Sequence, residues 1–131
     1  MITLEEARGV IAAAEEKARE IGVPMNIAVL DAGRNLKAFA RMEDAWLGSI
    51  EISIDKAYTS TSFDMSTQDL SSQAQPGQPL FGINTTSNSR VVIFAGGIPL
   101  WRDERVVGAV GVSGGTPDQD QQVAEAGVAA L

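Results

Sequence analysis

The chain contains no histidine and no cysteine among its 131 residues. Without cysteine it can form no disulfide, no thiolate metal site and no thiol nucleophile. Without histidine it lacks the most common general base, the most common haem ligand and most zinc sites. These two absences exclude many kinds of catalytic and metal centre before any motif is considered.

Positive charge and long apolar runs are also scarce. The chain has ten basic and 17 acidic residues, a formal net charge of −7. This charge favours binding to neither the phosphates of nucleic acid nor an anionic membrane surface. No stretch approaches the roughly 20 apolar residues of a membrane helix, and acids stand where a signal peptide carries basic residues. We therefore expect a cytoplasmic protein with no nucleic-acid or membrane partner.

The residues that are present suit one compact domain with a hydrophobic core. Hydrophobic residues make up 44% of the chain and charged residues 21%, which is ordinary for a globular protein. We predict a single domain over 1–131. Apolar residues at three- and four-residue steps predict helices over about 3–21, 44–63 and 67–74 and from Pro117 onward. In the second helix the predicted apolar stripe is Trp46, Leu47, Ile50, Ile54, Ala57 and Tyr58.

Short apolar runs between these helices predict strands that occur in hairpin pairs. The predicted strands are 25–31, 36–41, 91–95 and two arms around a turn at Asp103–Glu104, with GGIP (96–99) as a further turn. Paired hairpins imply an antiparallel sheet, so the predicted class is α+β, an antiparallel β-sheet flanked by α-helices. Residues 75–90, rich in Pro, Gly, Asn and Ser, form a loop long enough to be functional.

The segment GVSGGTPDQDQQ (111–122) looks like a phosphate-binding loop. It lacks the lysine of a Walker A loop, and its glycines follow GxxGxxG, which is not the dinucleotide pattern. Asp118 and Asp120 would repel a phosphate at the helix start. A structural turn capped by Thr116 explains the segment, although Gly114 and Gly115 leave room for a small carboxylate or carbonyl ligand.

Four ordered segments together resemble the GlcG/HbpS/PduO-C-terminal family. They are IAVLDAGRNLKAFARM (27–42), SIEISIDKAYTST (49–61), FAGGIPL (94–100) and VVGAVGVSGGTPDQD (106–120). The resemblance covers essentially the whole chain and implies a profilin-like fold and a homo-oligomer. For several members it also implies haem binding. Others lie in pathways for glycolate, diols or aromatic compounds.

The chain departs from this family where histidine is usual. The hairpin turn reads Gly33-Arg34-Asn35 instead of Gly-Gly-His, and the last helix opens Gln119-Asp120-Gln121 instead of Gln-Asp-His. Imidazole is the natural axial ligand of haem iron. Tyr58, Lys56 and the methionines remain, and none is spaced as an obvious substitute. We therefore expect no resident cofactor or metal, with haem as the alternative that the family implies.

Three charged residues are candidate catalytic groups. Lys56 is either a solvated lysine paired with a neighbouring acid or, as the family motif implies, a group facing a ligand. Arg41 is either a strand-end charge or a bidentate clamp on a carboxylate. Asp120 either stabilises a helix dipole or serves as general base.

The glycine turns and the long loop supply the candidate ligand-binding residues. These are Ser113, Gly114, Gly115, Gly96, Gly97, Leu80 and Phe81. They favour a small-molecule ligand, a carboxylate or carbonyl metabolite bound in a cleft near the GG turns. The alternative is a cofactor-independent isomerase, tautomerase or lyase acting on a small hydroxy or oxo acid. A third hypothesis is an accessory subunit whose main property is assembly.

Overall fold

A computed structural model describes all of residues 1–131. The helices are α1 (Leu4–Ile21), α2 (Gly48–Phe63), α3 (Thr67–Gln73) and α4 (Pro117–Ala129), and the strands are β1 (Asn26–Asp31), β2 (Leu36–Arg41), β3 (Gly97–Arg102) and β4 (Arg105–Ser113). All strand pairs are antiparallel, in the order β2-β1-β4-β3. The predicted α+β class with its antiparallel sheet is confirmed.

Helices cover both faces of the sheet because its central strands are apolar on both sides. In β1, Ile27 and Val29 join the larger core cluster, which α1 and α4 also enter. Ala28 and Leu30 point the other way and pack with Ala57 of α2. This two-sided burial is why β1 reads as a continuous apolar run.

The first and last helices begin where the sequence predicts. Thr3 and Thr116 each accept a hydrogen bond from the backbone N–H three residues later, and Glu6 and Gln119 complete the two capping boxes. Pro117 takes the first helical position of α4. The segment 111–122 is therefore a strand-to-helix joint.

None of the helices combines the length and apolar character needed to span a membrane.

The apolar stripe predicted for the second helix is wrong at its start. Helix α2 begins at Gly48, and Trp46 and Leu47 before it are 69% and 72% exposed. Its buried face carries Ser49, Ser53, Lys56, Ala57, Thr59 and Ser60. The sheet beneath is lined by small residues, and a Cβ on Gly111 would lie 1.9 Å from the carbonyl oxygen of Ser53. Helix and strand backbones pack so closely that large apolar side chains do not fit between them.

The strand predicted at 91–95 and the turn predicted at 96–99 are also wrong. The strand that pairs with β4 is β3, which starts at Gly97, inside the predicted turn. Residues 91–95 join no sheet ladder. The backbone N–H of Val92 instead donates to Thr59 Oγ1 of α2 at 2.9 Å. The apolar residues of this segment are therefore held against a helix.

Candidate functional site

A surface groove of about 510 Å³ lies between the N-terminal half of α2 and the segment 84–94. Five of its 13 lining residues are apolar and most of the others are polar or charged, so the groove has the apolar surface and the convergent polar groups of a small-molecule site, with a larger polar share than is usual. The apolar residues are Ile52, Val91, Val92, Ile93 and Phe94, and the polar ones are Glu51, Asp55, Asn84, Thr85, Asn88, Ser89 and Arg90.

One wall of the groove has an unusual backbone. Ser87, Asn88 and Ser89 have φ values of 52°, 56° and 62°. Left-handed conformation costs a residue with a side chain roughly 1–2 kcal/mol, and such strain persists where the surrounding structure over-determines it, often at functional sites. This turn brings Asn88 and Ser89 to the groove.

Arg90 follows this turn and is fixed against α2 by several contacts. Its Nε donates to Asp55 Oδ1 at 2.8 Å, and its guanidinium carbon lies 3.8 Å from the centre of the Tyr58 ring. Its backbone oxygen accepts from Thr59 Oγ1 at 3.3 Å. Asp55, Tyr58 and Thr59 are three and four residues apart, so they share one helical face. The α2 sequence thus fixes the position of Arg90.

Behind the groove, Lys56 and Asp120 form a buried ion pair. Lys56 Nζ donates to Asp120 Oδ2 at 2.7 Å and to the backbone oxygen of Val112 at 2.8 Å. The same ammonium group lies 4.8 Å from the centre of the Phe94 ring. Phe94 also lines the groove, so one aromatic side chain contacts both the groove and the ion pair.

Burial shifts both partners of this pair toward their neutral forms. It lowers the pKa of Lys56 and raises the pKa of Asp120, because loss of water penalises each charged form more than their mutual attraction offsets. Asp120 is also held by the backbone N–H of Gly115, which donates to its Oδ1 at 2.8 Å. A pair with these properties can hold or transfer a proton.

The structure brings together two of the three predicted catalytic residues. Lys56 and Asp120 are in contact. Arg41 lies at the exposed end of edge strand β2, where it faces Asn26, which in turn faces Ser113 on β4. Two strand spacings of about 4.8 Å each therefore separate the backbones of Arg41 and Ser113.

The seven predicted ligand-binding residues lie outside the lining of the groove. Gly96, Gly97 and Ser113 are buried. The N–H of Gly96 donates to Gln121 Oε1, and that of Gly97 donates to Thr67 Oγ1. Gly114 and Gly115 are half-buried, Leu80 is half-buried in the long loop, and Phe81 is 67% exposed there.

Sequence reasoning missed the residues that do line the groove, above all Asp55, Arg90 and Phe94. The polar loop 75–90 was a usable signal, because Arg90 ends it and Asn84 to Ser89 belong to it. The contact between Asp55 and Arg90 spans 35 positions and has no sequence signature. Nowhere in the chain do three or more acidic side chains cluster so that they could hold a metal ion.

Fold and sequence place the chain in a known family. The sequence model of the HbpS-like family, described as haem degrading protein HbpS-like, matches residues 2–129. The chain belongs to this family. The protein is 44% identical over 124 residues to an uncharacterized 15.0 kDa protein from the dhaT-dhaS intergenic region of Citrobacter freundii, covering 95% of this chain and 87% of that one.

Two further relatives carry names that refer to a cofactor. The corrinoid adenosyltransferase PduO of Citrobacter freundii is 36% identical over 99% of this chain, which spans only 39% of PduO. A solved structure described as a PduOC:heme complex is 35% identical, with a TM-score of 0.95 over 99% of this chain and 94% of that one.

The groove of this chain does not fit a haem held by an axial ligand. Axial ligands of haem iron are His, Cys, Met or Tyr side chains, and the groove lining contains none of these. Tyr58 lies nearby, but its ring is stacked by Arg90 and its hydroxyl accepts a hydrogen bond from Arg34. Of the four methionines, Met25 is buried in the core, Met42 and Met65 are half-buried and Met1 is exposed, and none of them lines the groove.

Proposed function

We propose that the protein binds a small oxygenated metabolite in the groove between α2 and residues 84–94. The observation that carries this proposal is the groove itself, about 510 Å³ in volume, with an arginine fixed in its wall by Asp55 and Tyr58. A prearranged polar group lowers the entropic cost of binding. Phe94 and Ile52 offer an apolar surface to the carbon skeleton of such a ligand, and Asn84 and Asn88 offer donors and acceptors to its oxygen atoms.

The test is a nuclear magnetic resonance titration of the ¹⁵N-labelled protein with a panel of hydroxy and oxo acids and their amides. We expect saturable shifts of backbone signals from Glu51 to Asp55 and from Asn84 to Phe94. The groove-filling variant Val92→Phe should abolish them. Val128→Phe, an equal enlargement of a half-buried valine on α4, should not. Shifts centred on Gly114 and Gly115, or no saturable shift with any compound, would contradict the proposal.

A second candidate function is a cofactor-independent isomerase, tautomerase or lyase that uses Lys56 and Asp120. The observation that favours it is the position of Phe94, which contacts both the groove and Lys56. In this scheme, displacement of the ring exposes the pair to a bound carbonyl compound. Asp120 then accepts a proton from the carbon next to the carbonyl group, and Lys56 stabilises the resulting enolate oxygen.

Hydrogen–deuterium exchange tests this second function directly. A 2-oxo acid such as 2-oxobutanoate, incubated with the protein in D₂O, should lose the signals of its C3 protons faster than the buffer control. The Asp120→Asn variant should return the rate to that control, whereas Asp118→Asn, two residues earlier in the same helical turn and exposed, should not. If the unmodified protein does not accelerate the exchange, this second function is ruled out for 2-oxo acids.

Self-association and a cytoplasmic location belong to the same proposal. The exposed pair Trp46 and Leu47 at the start of α2 supports a homo-oligomer, because adjacent large apolar side chains favour a protein interface. The predicted absence of nucleic-acid and membrane partners rests on the net charge of −7.

A further inference from the structure

The guanidinium group of Arg90 is only partly engaged by the protein. Asp55 holds its Nε at 2.8 Å, and neither Nη atom donates a hydrogen bond to a protein acceptor. The side chain is 38% exposed and lines the groove. Because the guanidinium group has five N–H donors in a rigid fork, the Nη edge is still available for a planar acceptor such as a carboxylate.

A second arginine contacts the same tyrosine ring. Arg34, on the β1–β2 turn, lies with its guanidinium carbon 5.1 Å from the centre of the Tyr58 ring, and its Nη1 donates to the Tyr58 hydroxyl at 3.4 Å. It has no acidic partner within ion-pair distance, and its φ of 67° is in the left-handed region. Two guanidinium groups thus contact one tyrosine, and only that of Arg90 is paired with a carboxylate, that of Asp55.

Charge therefore changes along the groove. Arg90 and Asp55 line the groove and compensate each other's charge, and Arg34, which does not line it, adds one positive charge beside Tyr58. Glu51 lies one helical turn nearer the start of α2, about 6 Å along the axis, and it is exposed and unpaired. An anionic group fits the arginine end, and a hydroxyl group, which donates to a carboxylate, fits the Glu51 end.

We propose that Arg90 is the specificity-determining residue of the groove and that it binds the carboxylate of a small hydroxy acid through its Nη edge. The carbon skeleton of the acid lies against Phe94 and Ile52. Arg34 adds long-range attraction without direct contact. This inference rests on the proposed ligand-binding function and adds to it the charge of the ligand and the residue that recognises that charge.

The test compares mandelate with mandelamide, which share a ring and a hydroxyl group but differ in charge. Binding is followed by the ¹⁵N shifts of the groove amides. We expect mandelate to bind at least tenfold more tightly than mandelamide. Arg90→Gln should weaken the binding of mandelate at least tenfold and leave the binding of mandelamide unchanged. Arg34→Gln should weaken the binding of mandelate a few-fold, and added salt should suppress this effect. Arg105→Gln, the same change at an exposed arginine on β4, should alter neither.

In Arg90→Gln the Asp55 carboxylate loses its charge partner, and this alone could repel mandelate. The double variant Asp55→Asn/Arg90→Gln separates this effect from loss of the arginine. It removes both charges, so no carboxylate is left uncompensated, and it should lose mandelate preference as Arg90→Gln does. Equal binding of acid and amide, unaffected by Arg90→Gln, would overturn the inference while ligand binding by the groove stood. Absence of groove shifts with both compounds would overturn the inference and count against the proposed function as well.

Discussion

At the scale of single residues, the ion pair of Lys56 and Asp120 makes a sharp prediction about stability. Lys56→Met keeps the volume of the side chain but leaves the Asp120 carboxylate buried without its charge partner. Removal of one partner of a buried pair costs about 3–5 kcal/mol. We expect a loss of that order in the free energy of unfolding at pH 8, measured by urea denaturation.

The cost of Lys56→Met should depend on pH in a defined direction. The pKa of Asp120 is already raised by burial, and loss of Lys56 raises it further. A group whose folded pKa lies above its unfolded pKa adds stability below the unfolded value and loses it as pH rises through the folded one. The variant should therefore be less impaired at pH 5 than at pH 8. Lys17→Met, which breaks the exposed pair with Glu20, should have little effect. A pH-independent cost, or one no larger than that of Lys17→Met, would show that the pair is not electrostatically coupled.

At the scale of elements, the packing of α2 on β4 depends on one glycine. Gly111→Ala would place a Cβ 1.9 Å from the carbonyl oxygen of Ser53, so the helix must move away from the sheet. Overpacking of this kind costs about 1–3 kcal/mol or more. Gly9→Ala is the matched control, because Gly9 is exposed on α1 with no atom within 4 Å of the new Cβ. It should stabilise the helix by about 0.5–1 kcal/mol. Thermal unfolding measures both changes, and a Gly111→Ala protein as stable as the unmodified one would disprove the close packing.

The same helix shows what sequence reasoning can and cannot predict. Caps and periodicity are local, so α1, α4 and the β1–β2 hairpin could be located from the sequence to within a few residues. The close packing around Ser53 depends on Gly111, and that around Lys56 depends on Gly96 and Gly97, all far away in the chain. The apolar period of α2 therefore indicated the wrong face at its start.

The candidate site could likewise be predicted from local signals but not from contacts between residues that are distant in the chain. Lys56 and Asp120 were identified individually from the sequence, but their contact joins residues 64 positions apart. Phe94 was part of a predicted strand, yet it lines the groove and its ring centre lies 4.8 Å from the Lys56 ammonium group. A run of apolar residues next to glycines predicts a strand. The run itself does not show whether it pairs with the sheet or packs against a helix.

At the scale of the whole molecule, the absence of histidine leads to a prediction about haem. A hemin titration of the purified protein should give no saturable, stoichiometric shift of the Soret band, because the groove lining provides no axial ligand. The Tyr58→Phe variant, which removes the only tyrosine, should behave as the unmodified protein does. A stoichiometric shift that Tyr58→Phe abolishes would reverse this interpretation and identify Tyr58 as a ligand.

The surface of the whole molecule leads to the prediction of a homo-oligomer. Trp46 and Leu47 are adjacent and are 69% and 72% exposed, and burial of such side chains against a second copy would stabilise it by about 25 cal/mol per Å² of apolar surface. Sedimentation equilibrium should give a mass that is a multiple of 13.8 kDa. The double variant Trp46→Ser/Leu47→Ser should shift the protein toward smaller species. Phe81→Ser removes an equally exposed aromatic side chain from the polar loop and should leave the mass unchanged. A mass of one chain for the unmodified protein would show that these two side chains remain in water, in which case the groove must bind its ligand within a single subunit.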